Sequence, residues 1–226
     1  MALDFHRKLK LIRQIPKPLP IRERANYTLE NARPGGLLEI ENNLHLVVGE
    51  THYMQGKTPY KEFNLVDIDT GQKRFLEFGE EDELVINFWH TTGIPLSKIE
   101  YDNNYFLEDH GIPDVRSIKL FLDLCNKYDD GEITYKGQTL YFYESLQATW
   151  TGDGKKETQK AFNKHRYWDF LPFEAEEDNE IDLGTPIVSV ERWFGDNEEE
   201  DEFDVNYGYR IAPEKAVVWA VGNSKK

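Results

Sequence analysis

Three carboxylates and two aromatic side chains in the C-terminal half are of the types that act on ligands. They are Glu144, Tyr167, Asp169, Glu191 and Trp193. A pair of carboxylates can supply the acid and base that cleave a glycosidic bond, and aromatic rings can stack on a bound ligand. Because pockets form preferentially at domain interfaces, we expect these residues in a cleft between two β units. The pattern supports one hypothesis, a ligand-binding module or unrecognised hydrolase. The other reading of the aromatic rings is burial in the core, which small β units favour.

A basic arm at the N-terminus is the second candidate site. Residues 1–35 hold eight Lys or Arg and three acids, so their charge is 8 − 3 = +5. The rest of the chain holds 19 basic and 39 acidic residues, which gives −20 and a total of −15. We assign binding to the side chains Arg7, Lys8, Lys10 and Arg13. A basic arm on an acidic body indicates either docking on its own domain or contact with an anionic membrane face or an acidic partner.

The acidic body argues against nucleic acid as a partner, because it repels phosphates. Two segments concentrate the acids, Glu174–Asp182 and Asp196–Asp204. We predict that both are solvated, as loops or a hairpin tip, because like charges repel, and that they could meet a basic partner. Flexible acidic loops lack the ordered geometry that tight Ca²⁺ or Mg²⁺ binding requires.

Familiar catalytic and metal-binding motifs are absent from the sequence. Gly56-Lys57-Thr58 is similar to the end of a phosphate-binding loop, but Thr51 stands where that loop needs Gly. The six histidines include no pair spaced like zinc ligands, and strand alternation predicts His45 and His52 on opposite faces. The single cysteine, Cys125, is predicted to be a core residue. We therefore predict no catalytic residue, no metal and no cofactor.

An apparent internal repeat defines the elements that must position these candidate sites. Residues 40–49 and 135–144 both read as strand, turn and strand, and each leads to a later strand that ends in Trp, at Trp89 and Trp193. Two copies of one small β unit explain most of the chain. The predicted fold is mainly β (α+β), with two small antiparallel, barrel-like units related by duplication and joined by one helix.

Predicted boundaries follow from this repeat. The arm and linker are residues 1–36, the first β unit 37–112, the connecting helix 113–131 and the second β unit 132–226. Apolar spacing predicts a helix over residues 3–15, which Pro16, Pro18 and Pro20 end. Pro113 and Asp114 are typical of a helix start, and Asn42-Asn43 of a hairpin turn.

The second unit resembles a bacterial domain-of-unknown-function family, number 4178. The resemblance lies in Gly137–Glu144, Tyr167–Phe170, Ile187–Trp193 and Tyr207–Tyr209, the last of these ahead of Ile211–Glu214. It implies a compact β-rich module of bacterial proteins and brings no catalytic residues with it. The basic arm and the acidic segments depart from the family pattern.

These observations lead us to expect a non-catalytic interaction or assembly protein. The N-terminus lacks the apolar core of a signal peptide, and no window is apolar enough to span a membrane, so we expect a cytoplasmic protein. The partner would be a protein, with peripheral membrane contact as a further option. No small-molecule substrate is identified.

Overall fold

Eleven strands and four α-helices form in the part of the chain that the computed structural model describes. That part comprises residues 4–80, 84–152, 164–172, 181–194 and 201–222, with only the backbone at 5 and 150–152. The helices are α1 (Phe5–Ile12), α2 (Ile21–Arg24), α3 (Leu107–His110) and α4 (Ile118–Tyr128). The strands are β1 (Leu37–Ile40), β2 (Asn43–Gln55), β3 (Thr58–Asp67), β4 (Lys73–Glu80), β5 (Leu84–Thr91), β6 (Glu132–Tyr135), β7 (Gln138–Gly152), β8 (Lys164–Leu171), β9 (Pro186–Trp193), β10 (Glu202–Arg210) and β11 (Ala216–Ala220). The predicted mainly β fold is confirmed.

The chain divides into two compact units. Unit 1 is Met1–His90, Thr151–Thr158 and Ile211–Lys226, and unit 2 is Thr91–Trp150 and Gln159–Arg210. In unit 1 the strand order is β11-β1-β2-β3-β4-β5, and in unit 2 it is β6-β7-β8-β9-β10. Neighbouring strands within each unit run antiparallel, so each unit is built around a five-strand meander.

This division differs from the predicted boundaries at both ends of unit 2. The segment after β5 belongs to unit 2, where Glu100 bridges to Thr134 of β6. The segment after β10 belongs to unit 1, where β11 pairs with β1. Since the first strand of a meander has an open edge, each exchanged segment satisfies backbone groups that would otherwise face solvent.

Tight turns open both meanders. In the second, Lys136 and Gly137 have positive φ values of 53° and 76°, as predicted for a two-residue hairpin turn. In the first, the turn residues are Glu41 and Asn42, with φ of 50° and 67°, so the predicted Asn42-Asn43 turn is wrong by one position. The observed register pairs Ile40 with Asn43. A slip of one residue would turn the buried side chain of Ile40 outward.

A β-bulge in β2 corrects the prediction for two histidines. The pairing with β3 shifts register between Val47 and Gly49, which leaves Val48 as an extra residue. His45 therefore lies opposite Asp67, and His52 lies opposite Lys61. Because Asp67 and Lys61 are an even number of positions apart on β3, both histidines point to the same face, not to opposite faces.

Helix α4 packs into the core of unit 2. It begins at Ile118, where the Ser117 side chain caps it by accepting a hydrogen bond from the backbone N–H of Leu120. The predicted start at Pro113 is wrong, because Asp114 has a φ of 56°, which a right-handed helix does not allow. Cys125 is fully buried on the inner side of the helix, which confirms it as a core residue. Burial raises the pKa of its thiol.

Helix α1 is shorter than predicted, because Phe5–Ile12 replaces residues 3–15. The Asp4 carboxylate caps it by accepting hydrogen bonds from the backbone N–H groups of His6 and Arg7. None of the helices in the described ranges is long and apolar enough to cross a bilayer.

Candidate functional site

One polar row crosses four strands of unit 2. Glu144 lies opposite Asp169, Asp169 opposite Ser189, and Ser189 opposite Asn206. Directly opposed residues on antiparallel strands point to the same face of a sheet. We call these four residues the polar row. Its last three members are at most 8% exposed.

All five residues singled out in the sequence lie on the face that carries the polar row. Tyr167 is opposite Glu191, and Trp193 is opposite His165. These positions are two or four residues from Asp169 or Ser189 along their strands, so alternation keeps them on the same side. We call this side of unit 2 the polar face. Its location in a cleft stays a prediction.

The opposite face of the same strands is the core of unit 2. It consists of buried apolar side chains that pack with α4: Trp168, Phe170, Val188, Val190 and Val205. Burial of this apolar face fixes the register of β8, β9 and β10. The register in turn places the polar residues together on the other side.

Glu191 organises the centre of the polar face. Its carboxylate accepts hydrogen bonds from Trp193 Nε1 at 3.2 Å and from Asn206 Nδ2 at 2.9 Å. The second bond sets the orientation of the Asn206 amide, since its oxygen would repel the carboxylate. Asn206 Oδ1 is buried and meets no hydrogen-bond donor among the described residues.

His165 is a buried member of the polar face that the sequence analysis missed. Its ring stacks on that of Trp193, with centroids 4.3 Å apart and an interplanar angle of 22°. Burial lowers its pKa to about 4, so the imidazole is neutral near pH 7. Ser189 and Asn206 were missed as well. The available signal was a polar residue at alternate positions of otherwise apolar strands.

The polar face offers mainly hydrogen-bond acceptors. Two adjacent carboxylates, Glu144 and Asp169, could exchange a proton with a ligand or hold a positive charge. The polar face is less suited to binding a metal ion, because no three His, Cys, Asp or Glu side chains in the described ranges are placed to hold one.

The basic arm belongs to unit 1 and packs on the rest of that unit through one side of α1. Leu11 and the following Ile15 pack on a core cluster made by Leu37, Leu46, Ile68 and Ala220. Lys8 pairs with the carboxylate of Asp69. The other three predicted binding residues, Arg7, Lys10 and Arg13, are exposed. Lys8 thus fastens the arm, and its three basic neighbours face solvent.

A second attachment holds the linker that follows α1. The backbone N–H of Leu19 donates to the carbonyl of Trp219 at 2.7 Å. The Arg24 guanidinium lies 3.7 Å from the centroid of the Trp219 ring, and its Nε donates to the Leu19 carbonyl. Cation–π contacts of this kind are worth about 0.5–2 kcal/mol, so the linker is fixed to β11.

Most of the two acidic segments lies outside the described residues, at 173–180 and 195–200. Their described ends are structured in part. Strand β10 begins at Glu202, so the predicted loop over Asp196–Asp204 ends earlier than expected. Asp201 pairs with Arg192, which lies on the core side of β9.

Comparison with known proteins gives one match. The family model described as Domain of unknown function (DUF4178) matches residues 33–213, well over half of the chain. No curated protein and no solved structure matches the chain.

Proposed function

The chain belongs to the DUF4178 family of domains of unknown function, and from that premise we propose that it is a non-catalytic interaction protein that docks on an anionic membrane surface through α1. The observation that carries this proposal is that the two sides of the helix differ. One side packs on the rest of unit 1, and the other presents exposed cations.

The attached side of α1 leaves the basic side facing solvent. Leu11, Ile15 and Lys8 all contact unit 1. Arg7, Lys10 and Arg13 follow one another at spacings of three, which places them in a stripe along the helix. The stripe therefore has a fixed orientation on a rigid body.

An apolar side chain flanks the basic stripe. Ile12 is 43% exposed. A helix that shows cations beside an exposed aliphatic residue is suited to the interface of a bilayer, where the side chain enters the headgroup region. An acidic protein partner would account for the exposed cations but less well for the exposed Ile12.

The magnitudes allow weak, reversible docking. Each Lys or Arg near an anionic leaflet contributes about 1 kcal/mol, so the stripe supplies roughly 3 kcal/mol. The acidic body opposes this attraction. A helix is about 10 Å thick, and charges behind it lie about one Debye length further from the membrane at physiological salt, so their repulsion is largely screened.

Vesicle flotation tests the proposal. Vesicles of phosphatidylcholine alone are compared with vesicles that also contain phosphatidylglycerol. The variant Arg7→Gln/Lys10→Gln/Arg13→Gln removes the stripe. Its matched control, Lys57→Gln/Lys98→Gln/Lys215→Gln, removes three exposed cations elsewhere.

We expect the wild type and the control to float with the anionic vesicles only, and less so as salt is raised. The stripe variant should bind roughly 100-fold more weakly, which corresponds to the loss of about 3 kcal/mol. Equal flotation of the stripe variant and the wild type would exclude docking through α1. Absence of wild-type flotation would exclude lipid and leave an acidic protein as the partner to seek.

A further inference from the structure

We propose that Ile21 in α2 is a second membrane anchor, which enters the same anionic leaflet that the basic stripe on α1 contacts. This inference rests on the proposed membrane docking and deepens it, because two points of contact fix the orientation of unit 1 on the bilayer. Three observations carry it: the exposure of Ile21, the attachment of α2 to Trp219, and the charges beside α2.

Ile21 is the most exposed large apolar side chain among the described residues, at 80%. A single aliphatic residue on a protein surface is common, so exposure alone assigns no partner. What distinguishes Ile21 is its setting. It lies in the same N-terminal segment as the basic stripe and the exposed Ile12, and the surrounding backbone holds it facing outward.

Helix α2 is attached to β11 on both sides of Ile21. Before it, the backbone N–H of Leu19 donates to the carbonyl of Trp219 at 2.7 Å. After it, the Arg24 guanidinium lies 3.7 Å from the centroid of the Trp219 ring. Ile21 therefore cannot turn toward unit 1 unless one of these attachments breaks. Tryptophan is also a residue that is enriched at membrane interfaces, and the Trp219 ring is only partly buried.

Helices α1 and α2 lie over the same part of unit 1. Trp219, which Arg24 covers, packs on the cluster that Leu11 and Ile15 of the α1 segment contact. Eight residues lead from Arg13 to Ile21, and an extended chain spans at most about 3.6 Å per residue, so the two lie within about 29 Å of each other. One face of a bilayer is thus within reach of both helices.

The exposed charges beside Ile21 suit an anionic leaflet. Lys17 and Arg22 are exposed cations, and Glu23 is an exposed acid, so the local balance is positive. In an interfacial segment, aliphatic side chains enter the boundary between headgroups and acyl chains, and the cations stay at the phosphates. A fluid bilayer accepts Ile12 and Ile21 together without a matching surface, whereas a protein partner would need a complementary pocket for each.

Flotation of a charge-neutral variant tests the anchor on the full chain. The vesicles contain phosphatidylcholine and phosphatidylglycerol, as for the stripe. Ile21→Ser removes the aliphatic side chain and keeps every cation. Its matched control is Leu183→Ser in unit 2, where the leucine is 62% exposed.

We expect Ile21→Ser to bind these vesicles about tenfold more weakly than the wild type, which corresponds to about 1.4 kcal/mol. The direction follows from the loss of apolar burial in the leaflet. Leu183→Ser should bind like the wild type. Because the cations remain in Ile21→Ser, its residual binding should decrease with salt as steeply as that of the wild type.

A fluorescent label at position 21 reports insertion independently of affinity. Ile21→Cys is labelled with a fluorophore that brightens in apolar surroundings, and Leu183→Cys carries the same label as a control. The native Cys125 is fully buried, and burial raises the pKa of its thiol, so it stays unlabelled. Anionic vesicles should brighten the label at 21 and leave the label at 183 unchanged.

The two proposals fail in distinguishable ways. If the wild type floats, the stripe variant does not, and Ile21→Ser binds like the wild type with a silent label at 21, then docking through α1 stands and the second anchor is refuted. Equal weakening by Ile21→Ser and Leu183→Ser, or equal brightening of both labels, would also refute it. Absence of wild-type flotation, with no response of the label at 21, would overturn both proposals.

Discussion

Val48 and Tyr143 occupy the same position in two different strands. Each is the sixth residue of the long second strand of its meander, and each is the extra residue at a register shift. Both long strands also follow a four-residue strand and a two-residue turn with positive φ. A bulge and a turn at matching positions support our proposal that the two meanders arose by duplication.

Strand β11 comes from the C-terminal part of the chain and pairs with β1 of unit 1. We therefore predict that the stability of unit 1 depends on this segment. A chain that ends at Arg210 keeps all five strands of the first meander but lacks β11. This truncation would expose Leu38 and Ile40, which are fully buried in the full chain. We expect thermal unfolding to shift to lower temperature and proteolysis to begin in residues 37–91. A chain that ends at Gly222 is the control and should behave like the full chain. Equal protease resistance of the two truncated chains would refute this dependence.

Gly131 and Cys125 form a contact that leaves no space for a side chain. A Cβ built on Gly131 would lie 2.3 Å from Cys125 Sγ, in the buried core of unit 2. Gly131→Ala should therefore destabilise the protein by about 1–3 kcal/mol, as overpacked cores do. Chemical denaturation measures the change.

The double variant Gly131→Ala/Cys125→Ala separates this clash from any effect on the backbone. Removal of the sulfur frees the space, so Gly131→Ala should cost less in the Cys125→Ala background than in the wild type. The same cost in both backgrounds would mean that the sulfur is not the cause.

Strand positions could be predicted from the sequence where apolar alternation and turn residues agree. Residues 135–144 were predicted to form strand, turn and strand, and the structure places the end of β6, the turn at Lys136-Gly137 and the start of β7 there. The first turn was predicted one residue too late, at Asn42-Asn43 and not at Glu41-Asn42. Glu rarely adopts positive φ, so the neighbouring Asn pair matched the turn better on local preference alone. Burial of Ile40 overrides that local preference.

The site was predictable only in part. Glu144, Asp169 and Glu191 were named as candidates, and the register places them on one face. Asn206 and Ser189 were missed, because their importance depends on which residues lie opposite them. Cross-strand partners are set by long-range pairing and by bulges such as that at Tyr143, which local patterns do not reveal.

His165 predicts a loss of stability in mild acid. Burial holds its pKa at about 4 in the folded protein, against 6.5 for an exposed imidazole. Between these values the unfolded chain binds more protons, so stability falls as pH decreases from about 6.5 to about 4. The full shift corresponds to on the order of 3 kcal/mol.

The variant His165→Phe tests the origin of this pH dependence. It keeps an aromatic ring against Trp193 and removes the titrating group. Denaturation midpoints between pH 7 and pH 4, at roughly half-unit steps, should fall less steeply for the variant than for the wild type. His6→Gln, which removes an exposed histidine, is the control. A slope that is the same in His165→Phe and in the wild type would assign the acid sensitivity to other groups.

For the ion pair between Arg192 and Asp201, we predict that removing one partner destabilises the protein more than removing both. Arg192 Nη2 lies 2.5 Å from Asp201 Oδ2, and their side chains are 9% and 4% exposed. Asp201→Asn would leave the buried guanidinium with only the more exposed Asp123 carboxylate, 3.9 Å away, as its counter-charge. Removing one partner of a buried pair destabilises proteins by up to about 3–5 kcal/mol. The double variant Arg192→Met/Asp201→Leu removes both charges, so it should recover most of this loss.

Lys119→Met is the control, because Lys119 Nζ lies 3.9 Å from Asp201 and its loss should cost less than about 1 kcal/mol. Urea denaturation of the four proteins gives the comparison. If the double variant were as unstable as Asp201→Asn, the pair itself would be contributing net stability, and the desolvation argument for this position would be wrong.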